Sequence, residues 1–211
     1  MPDALPTQPI APRAIRRLWS AMLLLALATP HTASHAADIE IAGVHLPGHV
    51  ALASERLVLN GAGQRSLWGF RIYVAALYLP EPTHDAATAL RDDLPRRLEI
   101  TLQRDFSTEQ NLDALKDGLQ ANNPSAELDA LRHETEQFLG LLRRVPEVRK
   151  GTTIQLDYLP GIGTRVGIGK TLLGTIAGER FNRALMRIWL GERPIQASLK
   201  KALLGREPPA L

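Results

Sequence analysis

The stretch Phe70-Arg71-Ile72-Tyr73-Val74-Ala75-Ala76-Leu77-Tyr78-Leu79 decides the architecture. From Ile72 onward every position is apolar or aromatic, so an extended chain here would bury both of its alternating faces. A strand tolerates that only in the interior of a sheet covered on both sides. The segment is therefore predicted to be a central strand.

Other strands assemble around it. Leu98, Ile100 and Leu102 alternate with Arg97, Glu99, Thr101 and Gln103, the period of two expected where one face is buried. Ile154, Leu156 and Tyr158 alternate in the same way with Thr153, Gln155 and Asp157, and Thr164, Val166 and Ile168 follow the turn cluster Pro160-Gly161-Ile162-Gly163. Gly169-Lys170 marks a further turn before Thr171-Leu172-Leu173. Upstream, Ile39-Glu40-Ile41 and Leu57-Val58-Leu59 are two short strands separated by Pro47-Gly48, the opening meander of the sheet.

Helical periods lie between the strands. Ser107 opens a helix with Leu112, Leu115 and Leu119 on one stripe, stopped by Asn122-Asn123-Pro124. A second helix from Ser125 carries Leu128, Leu131, Thr135, Phe138 and Leu142 on one face, and a third has Phe181, Ala184, Leu185, Ile188 and Trp189. Gly191 and Pro194 end the third helix, and a short one runs from Ile195 to Leu203. This order predicts an α+β domain: a largely antiparallel sheet with helices packed on one face.

The 211 residues are 45% apolar and 22% charged, a globular composition that excludes collagen-like and disordered classes. Arg13, Arg16 and Arg17 precede the apolar run Leu18 to Ala28, and Ser34-His35-Ala36 supplies the small residues of a cleavage site. That order reads as a secretory signal peptide over residues 1–36, with the domain in 37–211 and the mature protein in the periplasm or secreted. The apolar run is too short for a membrane span, so the mature form is not expected to cross a bilayer. Losing three arginines and Asp3 lowers the net charge from +3 to about +1. With no dense basic run left, nucleic acid is not an expected partner. Cysteine is absent, which excludes disulfides, a thiol nucleophile and thiolate metal sites. His45 and His49 are four residues apart but sit astride Pro47-Gly48 and not on a helix, and there is no HExxH, GxSxG elbow or GxGxxG loop, so no metal or cofactor is expected.

Three motifs in order, Leu59-Asn60-Gly61-Ala62-Gly63-Gln64-Arg65, Tyr73-Val74-Ala75-Ala76-Leu77-Tyr78-Leu79-Pro80, and Ile188-Trp189-Leu190-Gly191 with Pro194, resemble the bacterial exported branch of the chalcone isomerase-like family. The resemblance spans residues 40 to 205. It implies an open-faced β-sandwich, a large curved antiparallel sheet with a helical layer and a ligand cavity between them. The family includes plant isomerases that close a chalcone ring and plastid proteins that bind fatty acids, and both place an arginine where Arg65 stands. The binders use a tyrosine at the position of Tyr73, where the plant isomerases have a threonine. Phe106 and Asp113 stand near the places of an isomerase tyrosine and asparagine, and a phenylalanine cannot donate to a developing charge.

Guanidinium is a permanent cation with a planar fork of donors, suited to a carboxylate or an oxyanion. On one straight strand, Arg65 and Tyr73 would lie about 26 Å apart. A hairpin turn at Trp68-Gly69 would instead set them on opposed strands, about 5 Å apart at Cβ. The expectation is a monomeric, non-catalytic binder of a fatty-acid-like carboxylate, held by Arg65 and Tyr73 in a cavity lined by Leu67, Val74, Phe106, Leu115 and Phe138. The alternatives are an isomerase or lyase of the chalcone isomerase type acting on an unknown substrate, and a ligand-free scaffold for a partner protein.

Overall fold

A computed structural model describes residues 37–207; the expected signal peptide, residues 1–36, lies outside them. In chain order the elements are β1 (Ile39–Ile41), β2 (Val44–Leu46), β3 (His49–Leu52), β4 (Glu55–Leu67), β5 (Phe70–Leu79), α1 (Ala86–Ala89), β6 (Arg96–Leu102), β7 (Phe106–Ser107), α2 (Thr108–Asn122), α3 (Ser125–Ala130), α4 (Arg132–Arg143), β8 (Glu147–Val148), β9 (Thr153–Leu159), β10 (Gly163–Ile168), β11 (Thr171–Ile176), α5 (Glu179–Leu190) and α6 (Ala197–Leu203).

Seven strands form one antiparallel sheet in the order β11-β10-β9-β6-β5-β4-β3. β5 lies inside it, paired with β4 and β6, and each of its faces meets a different core. Tyr73, Ala75, Leu77 and Leu79 join the larger core beneath the helices, with Phe138, Leu185, Ile188 and Trp189. Val74, Ala76 and Tyr78 face the other way, into a smaller core with Ile41, Leu46, Leu52 and Leu57. The small β1–β2 hairpin supplies part of that second cover, so the β5 segment is apolar throughout because neither side meets water.

The expected Leu57–Leu59 strand is a fraction of the thirteen-residue β4. The helix expected from Ser125 is two helices, because Leu131 takes φ −105° and ψ 16° and breaks the run between α3 and α4. Leu131 is itself buried, so the break keeps its side chain in the core while turning the axis.

Polar pins fix the layers. Arg96, fully buried on β6, donates from Nε to Asn182 Oδ1 on α5 (2.8 Å) and from Nη1 to the carbonyls of Ala89 and Arg91. Asn182 in turn donates to the Thr164 hydroxyl on β10 at 3.0 Å. The chain of donors ties α5 to two strands, and the Arg96 guanidinium lies 4.4 Å from the Tyr158 ring centroid. Burial draws the Arg96 pKa down to about 10. On the opposite face Arg97 grips Asp157 with two bonds of 2.6 and 2.7 Å across the β6–β9 pair.

Candidate functional site

The β4–β5 hairpin turns at Trp68 (φ 50°) and Gly69 (φ 80°), with Leu67 and Phe70 paired across it. Two central residues at positive φ make this a turn whose twist suits tightly joined strands. Register then does what the site requires: Arg65 is the direct cross-strand partner of Tyr73. The ladder next pairs Ser66 with Arg71, leaving Ile72 as one extra residue in β5. This bulge explains why Ile72 and Tyr73 both join the helix-side core although they are consecutive in a strand.

The Arg65 guanidinium lies 5.6 Å from the centroid of the Tyr73 ring. The Tyr73 hydroxyl accepts a 2.9 Å hydrogen bond from Trp189 Nε1 on α5, which leaves its own proton free to donate. Burial raises the Tyr73 pKa above its ordinary 10, outweighing the opposite pull of Arg65 and the Trp189 bond. The phenol is thus a neutral donor at physiological pH.

These groups edge a cavity of about 100 Å³ between sheet and helices. Its floor is Ile100, Leu102, Ile154 and Leu156, and its roof is Ala114, Leu115, Phe138 and Leu142, closed at the sides by Phe106, Ile188, Trp189 and Ile195. Among the described side chains of this wall the polar groups are the Arg65 guanidinium, the Tyr73 hydroxyl and the Trp189 indole N–H. The arrangement offers donors and positive charge to an anion.

Of the residues expected from sequence, Arg65, Tyr73, Phe106, Leu115 and Phe138 come together here. Two do not. Leu67 lies at the hairpin end and is exposed, because the strand has already left the helical layer. Val74 follows Tyr73 in an extended strand and so must point to the opposite face, into the smaller core. Asp113 also lies away from the cavity, exposed beside Lys116. Trp189, which orients the Tyr73 hydroxyl, was placed by sequence only in the apolar stripe of its helix. The floor residues had a readable signal: Leu102 is opposite Tyr73, Ile100 opposite Ala75 and Ile154 opposite Ile100, so alternation carries one face across three strands.

A family model described as chalcone isomerase-like matches residues 37–205. The curated proteins contain no match. Among solved structures the chain is similar to a fatty-acid binding protein of Arabidopsis thaliana, with a TM-score of 0.61 and 14% identity, covering 79% of this chain and 95% of that one. At that identity the likeness shows a shared fold.

Proposed function

The chain belongs to the chalcone isomerase-like family, and from that premise we propose that it is a non-catalytic binder of a fatty-acid-like carboxylate. The observation that carries the reading is the direct pairing of Arg65 with Tyr73 at the wall of an otherwise apolar cavity. Arg65 supplies the charge for the head group and Tyr73 a hydrogen bond, while the alkyl chain enters the space between β6, β9 and the helices. The printed description of the Arabidopsis protein, a fatty-acid binding protein, supports the same ligand class. Catalysis on a chalcone-like substrate is disfavoured by Phe106, which lines the cavity and offers no hydroxyl.

The cavity of about 100 Å³ is smaller than the roughly 300–1,000 Å³ of typical small-molecule sites. It takes a carboxylate with its first few carbons, and a longer chain has to part α2 and α4 from the sheet. Export is part of the proposal: the basic, apolar, small order of residues 1–36 supports a mature protein in the periplasm or secreted.

The test is calorimetric titration of the purified protein with a saturated series from hexanoate to stearate, each beside its uncharged alcohol. The acids bind and the alcohols bind at least about tenfold more weakly, since the charge-assisted bond to Arg65 is lost. Equal binding of acid and alcohol would remove the carboxylate site from the account.

A further inference from the structure

The β4–β5 hairpin ends in an apolar tip. Trp68 is 88% exposed, Phe70 62% and Leu67 41%, with only Gly69 between the two aromatics. One exposed apolar side chain is ordinary, whereas three in four consecutive positions form a patch that calls for a reason. The backbone sharpens the point. Trp68 holds φ 50°, a conformation in which Asn or Gly is the usual occupant of such a turn and a bulky residue is an outlier.

Cations lie beside the tip and behind it. The Arg104 guanidinium lies 5.7 Å from the Phe70 ring centroid, Arg71 follows Phe70 directly, and Lys150, whose backbone N–H donates to Asp105, borders one surface depression together with Arg71. The carboxylates close by are Asp105 and Glu99. Exposed aromatic side chains with Arg104 and Arg71 next to them match the chemistry of a bilayer interface, where rings sit at headgroup depth and cations meet anionic phosphates.

We propose that the Leu67–Phe70 tip docks on a phospholipid bilayer containing anionic lipid. Tyr73 is three residues beyond Phe70, about 10 Å along the strand. On the ligand reading given above, docking therefore brings the carboxylate site to the membrane surface, where fatty acids partition. The bulge at Ile72 bends the strand between site and tip.

The experiment is flotation of the purified protein with vesicles of phosphatidylcholine alone or mixed with phosphatidylglycerol, with tryptophan emission recorded in parallel. The wild type floats with the mixed vesicles and its emission shifts to shorter wavelength. The double variant Trp68→Asn with Phe70→Ser loses partitioning by about tenfold or more and loses the emission shift. Because Trp68→Asn creates an Asn-Gly turn, the favoured pair for this geometry, the variant keeps its hairpin, and unchanged binding of fatty acid from solution verifies its fold. Arg71→Glu with Arg104→Glu lowers the preference for phosphatidylglycerol by about fivefold or more per charge.

Absence of flotation on both vesicle types overturns the proposal, as does a tip variant that floats like the wild type. Concentration-dependent dimerisation that the tip variant abolishes, without flotation, would assign the tip to a second copy of the chain instead. The two readings fail separately: flotation without fatty-acid binding sinks the carrier reading and leaves docking standing, and the converse sinks docking alone.

Discussion

Tyr73 makes two commitments at once: it accepts from the Trp189 indole and keeps a proton for a ligand. Replacing it with Phe should lower carboxylate affinity by about tenfold and also strand the buried Trp189 N–H without an acceptor, a cost of about 1–3 kcal/mol. Urea denaturation of Tyr73→Phe checks the second effect, and an unchanged midpoint would mean that the indole finds another partner. The contact between Arg65 and Tyr73 was legible before any coordinates because Trp68-Gly69 could be read as a turn, and a turn fixes register. Val74 was assigned wrongly for a reason contained in the same rule: adjacent residues of a strand cannot share a cavity unless a bulge intervenes, and the bulge lies one step earlier, at Ile72. No pattern of residue types announces a bulge of that kind. The link between Trp189 and Tyr73, 116 positions apart, was equally hidden, since helix periodicity assigns a face and not the partner across it.

Among the elements, β4 shows what the motif Asn60-Gly61-Ala62-Gly63 does. Asn60 donates to the Leu203 carbonyl at 2.7 Å and accepts from the Thr83 N–H at 2.6 Å, anchoring α6 and the segment after β5. A side chain at Gly61 would collide with the Ala202 carbonyl oxygen, and a Cβ at Gly63 would come within 2.8 Å of the Ala202 methyl. The glycines thus let α6 lie against the part of β4 beyond its pairing with β3. Asn and Gly are poor strand formers, which is why sequence pattern alone ended this strand too early. Gly61→Ala should therefore destabilise the protein by about 3 kcal/mol or more, the backbone of α6 having to move. Gly140→Ala is the contrasting case. Gly140 is exposed within α4 with nothing near its missing Cβ, so the change should stabilise by about 0.5–1 kcal/mol. Thermal melts of the two variants check both signs, and a neutral Gly61→Ala would contradict the packing role given to α6. The break at Leu131 was invisible for a related reason: the apolar stripe continues through it, and periodicity does not record a turn that keeps the stripe buried.

For the molecule as a whole, the two-sided cover of β5 is the feature from which the rest follows, and it was the most legible from sequence because eight consecutive buried side chains leave no solvent face. Every tyrosine of the chain is buried as well, and burial is the leading cause of a raised pKa for Tyr73, Tyr78 and Tyr158 alike. A raised native pKa means that the folded state holds its phenolic protons longer than the unfolded chain. Stability from these groups is therefore complete below the unfolded value near 10 and is lost as pH rises above it. Arg96 acts in the opposite sense, its charged form being disfavoured in the fold, so the penalty it carries is relieved above about 10. Three phenols against one guanidinium leave a net loss. Alkaline titration should show phenolate absorbance and loss of near-ultraviolet dichroism in one cooperative step, and phenolate formation in a still-folded protein would contradict the burial of these rings.

Arg65 is the basic side chain among the described residues of the cavity wall. Native mass spectrometry with lipid extraction, on protein purified from the cells that make it beside an Arg65→Ala variant, is the most direct test. The account predicts a co-purifying fatty acid in the wild type that the variant lacks, and an empty wild type that also takes up no added fatty acid would contradict it.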